Sequence, residues 1–374
     1  MGTAYTPGLK VSHDALIHRT RRLPLKGDVL VKVGETVSPD TIVARAELPG
    51  LMQTIKVAAQ LGVDTADVPG IVQVKEGDTV EKGQLIAQTK SFFGFLKSDV
   101  KSHVAGVVET ISGASGNVGV RLPPIPIDLT AYVSGRVSDI MPGEGVIVET
   151  RGALVQGIFG VGGERVGQIA VVSSSASDNL SEAQITPALA GKIIVGGANI
   201  SGAALRKASQ AGVIGIVVGG IIDKDLIDFL GYDIGVAITG HENINLTLVI
   251  TEGFGTIAMA DRTFGLLKSL EGKTASINGA TQIRAGVIRP EVIVPNVANG
   301  ASTAHPDDEP TALEIGARVR LIREPYFGIL GTVTELPPKL TKLESGAMVR
   351  VLDAKLSDGR TVTVPRANVE IMAE

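Results

Sequence analysis

His241 and Glu242, followed by Glu252 and Asp261, form the cluster in this sequence that can set a general base beside acidic groups. Neighbours on a loop rarely face one point, so the same residues read equally as a surface loop, and no metal is expected there. The chain has no cysteine in 374 residues, which removes thiolate ligands, a cysteine nucleophile and disulfides together. A second possible chemistry is anion binding. Glycine turns follow the apolar runs at Gly196-Gly197, at Gly219-Gly220 and, in Thr251-Glu252-Gly253, at the end of a third. Glycine lets a backbone approach a phosphate closely, and the helix that follows offers unpaired N–H groups. Neither a GxGxxG nor a GxxxxGK[ST] pattern follows these runs, so a small anionic or nucleotide-like ligand and plain glycine turns both remain open. Asn278 to Arg284 and Arg289 would either add anion contacts or form a turn and exit strand. The glycine-dense run Gly157 to Glu164 has no helical pattern after it and reads as a turn or bulge.

The elements that must carry these residues alternate in period. Lys192 to Val195 reads as a strand, Ser201 to Ala211 as a helix, Gly215 to Val218 as a strand and Asp223 to Leu230 as a helix. Further on come a strand at 246–250, a helix at 260–270 and a strand at 274–277. That order predicts a small parallel, Rossmann-like α/β domain over 188–295. Two stretches poor in periodic hydrophobicity, 173–190 and 296–312, read as linkers. They divide the chain into a β-rich front (1–172), the α/β domain and a tail (313–374).

The front contains a repeat. Val29-Leu30-Val31-Lys32-Val33-Gly34-Glu35-Thr36-Val37 aligns without a gap on Val72-Gln73-Val74-Lys75-Glu76-Gly77-Asp78-Thr79-Val80, and Ala44 then matches Ala87. A weaker echo runs from Gly135 to Val148, giving repeats near 27–47, 69–121 and 132–150. Short strand-turn-strand units must pair to bury one face, which predicts small β sandwiches or barrels. The run Val74 to Ile86 resembles the barrel-sandwich hybrid of biotinyl and lipoyl carrier domains. Lys101 to Ser112 is similar to the second half of such hybrids, including those inserted in the large subunits of bacterial RNA polymerase. The resemblance implies a carrier lysine at the hairpin tip, within Met-Lys-Met or Asp-Lys-Ala. Here the tip reads Lys90-Ser91-Phe92-Phe93-Gly94-Phe95-Leu96-Lys97, with neither motif, so no lipoate, biotin or other cofactor is expected. Phe92, Phe93 and Phe95 stand out in a chain that is 3% aromatic, and they read either as a partner-docking tip or as a plug for an open barrel end.

The tail holds the strand Arg318-Val319-Arg320-Leu321-Ile322, the turn Pro325-Tyr326-Phe327-Gly328, Gly331-Thr332-Val333, Met348 to Val351, and the turn and strand from Ser357 to Pro365. It resembles the KOW module of bacterial transcription elongation and ribosomal proteins, an SH3-like barrel that binds RNA or protein. Strand alternation places Arg318 and Arg320 on one outward face, where Arg323, Arg350, Arg360 and Arg366, with Tyr326 and Phe327, would complete an RNA or partner patch. Residues 313–374 carry nine Lys or Arg against eight Asp or Glu, a near-neutral balance that favours protein over RNA. The basic stretch His18-Arg19-Thr20-Arg21-Arg22 reads as a solvated segment.

The formal charge of −4 gives no global attraction to nucleic acid. The first 22 residues lack the apolar core of a signal peptide, and the longest apolar run, Val213 to Ile222, is too short to span a bilayer, so a cytoplasmic protein without membrane contact is expected. The domain order as a whole resembles a bacterial multidomain family of lipoyl-like repeats followed by a KOW domain, a resemblance that implies no activity. The expected protein is multidomain, α/β plus all-β, and a non-enzymatic accessory or scaffold that binds a protein partner through its β modules. The alternatives are an RNA-binding, transcription- or translation-associated regulator and an enzyme acting on a phosphorylated or nucleotide-like small molecule.

Overall fold

The computed structural model describes residues 9–89, 98–232, 239–282, 288–296, 313–323, 325–326, 328–342 and 348–371. It is mostly β, 46% strand and 15% helix. At its centre is one mixed sheet of thirteen strands. Four of them run parallel in the order Thr247–Phe254, Gly215–Ile221, Lys192–Val195 and Arg165–Val171. The sheet then continues antiparallel through Thr274–Asn278, Glu291–Pro295 and the long strand Gly145–Gln156. On that last strand lie both Val11–Arg22 and Gly135–Met141.

Alternation along the parallel strands separates two cores. Ile194, Ile216, Val218, Leu248 and Ile250 face the helices Gly202–Gln210 and Asp223–Leu230. Ile193, Val195, Val217 and Val249 face the helix Asp261–Ser269 through Phe264 and Leu267. The helix Gly202–Gln210 starts where the Ser201 side chain accepts the Ala204 N–H, which satisfies a donor the first turn leaves free.

The boundary expected at 172 falls inside this sheet, because Arg165–Val171 pairs in parallel with Lys192–Val195. Residues 173–190 are likewise built into the domain. Asp178 accepts from the Ser174 and Ser175 N–H groups at 2.9 Å each, and Leu180, Ile185 and Leu189 are buried in the helix-side core. The Gly157 to Glu164 run contributes the strand Phe159–Val161, which pairs with Thr247–Phe254.

The front repeat is a structural repeat, hydrogen bond for hydrogen bond. In the turns, the Lys32 N–H donates to Glu35 Oε2 at 2.9 Å and the Lys75 N–H to Asp78 Oδ2 at 2.7 Å. Gly34 and Gly77 take φ of 89° and 94°, a region that suits glycine. The Gly34 N–H then donates to Val137 O and the Gly77 N–H to Val108 O, at 2.8 and 2.7 Å. Val29 pairs with Ala44 as Val72 pairs with Ala87.

The two copies are nested. The strands Ile42–Leu48 and Ile125–Thr130 pair as a stem, and residues 49–124, including the whole second copy, lie between them. The corresponding stem of the second copy is Leu85–Gln88 paired with Asp99–Lys101. The inner module closes a core of its own from residues between Ile55 and Val120. The outer module shares its core with Leu154 and Ile293 of the central sheet.

The tail, a six-stranded sheet around its own core, uses the turn device a third time. Gly316 takes φ of 93°, and its N–H donates to Val333 O at 2.8 Å. Among the described residues no helix is long and apolar enough to cross a membrane.

Candidate functional site

The acidic cluster expected around His241 is split between two ends of one strand. His241 is exposed, and the Glu242 carboxylate accepts the Gly162 N–H at 2.7 Å and the Gly240 N–H at 2.9 Å, which fixes it beside the start of Thr247–Phe254. Glu252 sits near the other end of that strand, five residues beyond Thr247, or about 16 Å at the rise of a strand. It is buried, accepting the Ala260 N–H at 3.1 Å and Arg320 at 2.6 Å. Asp261 is exposed in the first turn of its helix. His241 and Glu252 therefore do not form one base-and-acid site.

The glycine turns are covered by the protein's own backbone. A Cβ added at Gly197 would stand 2.4 Å from Asp178 O, one at Gly219 2.2 Å from Ile257 O, and one at Gly220 2.2 Å from Gly255 O. Gly196 lies under Leu180 and Val218, and Gly253 lies under the carbonyl of Gly328 in the tail. Close packing, against backbone at four positions and against the Val218 and Leu180 side chains at Gly196, accounts for glycine at all five, and the phosphate-cradle reading finds no open turn here.

Arg320 is not part of an exposed tail surface. It points away from the tail core that holds Val319 and Leu321, yet it is 1% exposed, because a second surface covers it. Its guanidinium lies between Glu252 at 2.6 Å and Glu370 at 3.7 Å. Glu370 also faces Arg289 at 3.5 Å and accepts the Leu9 N–H. Burial lowers the Arg289 pKa, with the Glu370 charge opposing. Arg366 donates to the carbonyls of Val351 and Pro337, and Arg360 pairs with Asp358 beside the Tyr326 ring. Arg318 and Arg350 are exposed, and Arg323 is half-buried. Arg320 must therefore be withdrawn from the expected patch. Phe92, Phe93, Phe95 and Phe327, with Lys90, Lys97 and Arg284, lie outside the described residues.

Two features were not visible in the sequence. The first is a cluster where the outer module meets the central sheet. Tyr132 has φ of 69°, the one positive φ among the described non-glycine residues, and is buried with Arg21 5.4 Å over its ring. Arg21 forks onto Glu164 at 2.5 and 2.7 Å, and Arg19 forks onto Glu291. Burial raises the Glu291 carboxyl in spite of Arg19, and it pushes the Tyr132 phenol well up, with Glu291 and Glu164 adding to the rise. Arg19 and Arg21, expected in a solvated segment, are thus joining residues.

The second feature is an apolar row on the outer face of the inner module. Met52 pairs across the sheet with Arg121, and Arg121 with Val107, so the three share one face. Met52 is 37% and Val107 43% exposed, beside Leu51 at 69%. On the adjoining stem, Leu48 opposes Ile125, and both are exposed. Arg121 crosses the row, forking onto Glu109 and donating to Gly50 O. Among the described residues no group of three or more His, Asp or Glu could hold a metal ion. The chain matches no family model and no curated protein.

Proposed function

We propose that this protein is a non-enzymatic accessory protein that docks a protein partner on its inner β module. The observation that carries the reading is the exposure of Met52 and Val107 on one face of a module whose core is closed on itself, with exposed Leu51 next to Met52 and the exposed pair Leu48 and Ile125 on the stem that carries the module. Exposed apolar side chains set around a paired arginine are the pattern of a recognition surface. Both modules read as barrel-sandwich hybrids and the tail as an SH3-like KOW barrel, folds that commonly serve as docking units. The acids that would serve catalysis are already engaged, Glu242 with backbone N–H groups and Glu252 with Arg320.

The test is affinity capture from the native host with wild type and with Leu51→Asp/Ile125→Asp. Both side chains are exposed, so the variant should fold and lose a protein that wild type retains. Capture of RNA that survives this change but is lost with Arg318→Ala/Arg350→Ala would instead support the RNA-binding alternative.

A further inference from the structure

The contact between the tail and the central sheet is reciprocal in charge. The tail offers Arg320 and Glu370, which face each other across the strand pair Arg318–Leu321 and Val369–Ile371. The central domain offers Glu252 and Arg289, so that each acid meets a base of the other part, at 2.6 and 3.5 Å. Glu252, Glu370 and Arg320 are 5% exposed or less. Two further contacts of the described residues flank this relay. Ile322 enters the helix-side core, Gly328 O lies against Gly253, and the rest of the tail core is closed on itself.

Gly253 and Glu252 stand at the C-terminal ends of the parallel strands, the edge where open α/β sheets take ligands. We infer that the tail is a detachable cap over this edge, held in place by the Glu252–Arg320–Glu370–Arg289 relay. Buried pairs of this kind add little net stability but discriminate strongly against misplacement, because removing one partner leaves a buried charge alone. The tail can therefore be positioned closely in the docked state and still separate as an intact barrel.

The experiment uses the full chain, with Arg320→Ala, Glu252→Gln and the double variant, read by small-angle scattering, circular dichroism and thermal unfolding. Arg320→Ala should shift the docking equilibrium toward release by about 100-fold or more. The expected signs are a longer maximum dimension, unchanged strand signal, and two melting steps in place of one. Glu252→Gln should release the tail less, and the double variant no more than Arg320→Ala, since both act on one relay. A scattering curve for Arg320→Ala that superposes on wild type would overturn the inference. So would a single-step loss of all structure in both Arg320→Ala and the isosteric Glu252→Gln, which would make the relay an ordinary part of one core.

Discussion

The outer and inner modules share a glycine turn, a strand register and a stem, yet they finish differently. In the outer module the row Thr36, Arg136, Glu149 and His18 runs across paired strands into the central sheet, and it is polar throughout. In the inner module the matching row is Thr79, Val107, Arg121 and Met52, and it ends on the strand Met52–Ile55, which pairs only with Asn117–Arg121 among the described residues. The row of the copy built into the sheet is polar, whereas the matching row of the copy carried on a stem holds exposed Val107 and Met52 on either side of Arg121. One local device thus yields a structural joint in one setting and a candidate recognition surface in the other.

The junctions extend the comparison. The outer module is joined by continuous β pairing and by the Arg19–Glu291 and Arg21–Glu164 pairs, whereas the tail has its buried relay. The largest effect is therefore expected for Arg320→Ala, about 3–5 kcal/mol of lost tail docking, because Glu252 and Glu370 would be left buried without it. Denaturant unfolding of the full chain measures this.

Next is Gly135→Ala. Its Cβ would meet Glu149 O at 2.3 Å, and overpacking of this kind costs about 3 kcal/mol. The loss should spread into the central sheet, visible as a single cooperative transition at lower temperature. Val37→Ala and Val80→Ala remove equivalent buried side chains and should each cost about 2 kcal/mol. The twins then separate by location, since Val80→Ala should loosen the inner module alone and Val37→Ala the outer module and its neighbours. The smallest effect is expected in the turns. Glu35→Ala and Asp78→Ala each remove one acceptor for a turn N–H and should cost about 1 kcal/mol alike, measured as equal shifts in the denaturation midpoint.

Much of the local structure was legible in the sequence. The 29–37 and 72–80 repeat announced the twin turns, because an invariant spacing of valines around one glycine leaves few other folds. The helix Asp223–Leu230 and the strands Lys192–Val195 and Thr361–Pro365 lie where periodicity puts them. The strand Arg165–Val171 was hidden because Gly167 and Gln168 interrupt its apolar pattern. Residues 173–190 looked like a linker because their serines are polar, although Asp178 gathers the turn and Leu180, Ile185 and Leu189 fill the core at irregular spacing. Arg320 does point away from the tail core, as alternation requires. Alternation along one strand says nothing of a second surface, here supplied by Glu252 from 68 residues earlier. The left-handed Tyr132 had no local signal, since nothing in its neighbours demands that conformation. The site residues were the least legible because long-range pairing decides which acids and arginines are already engaged.

Docking on the inner module requires that it be a unit able to carry a partner without disturbing the rest. Gly106→Ala tests this directly, since its Cβ would meet Arg121 O at 2.2 Å inside that module. Hydrogen exchange on the full chain should then show protection lost between Ile55 and Val120 and retained in Gly145–Gln156 and Glu291–Pro295. Equal loss in those two central strands would contradict it.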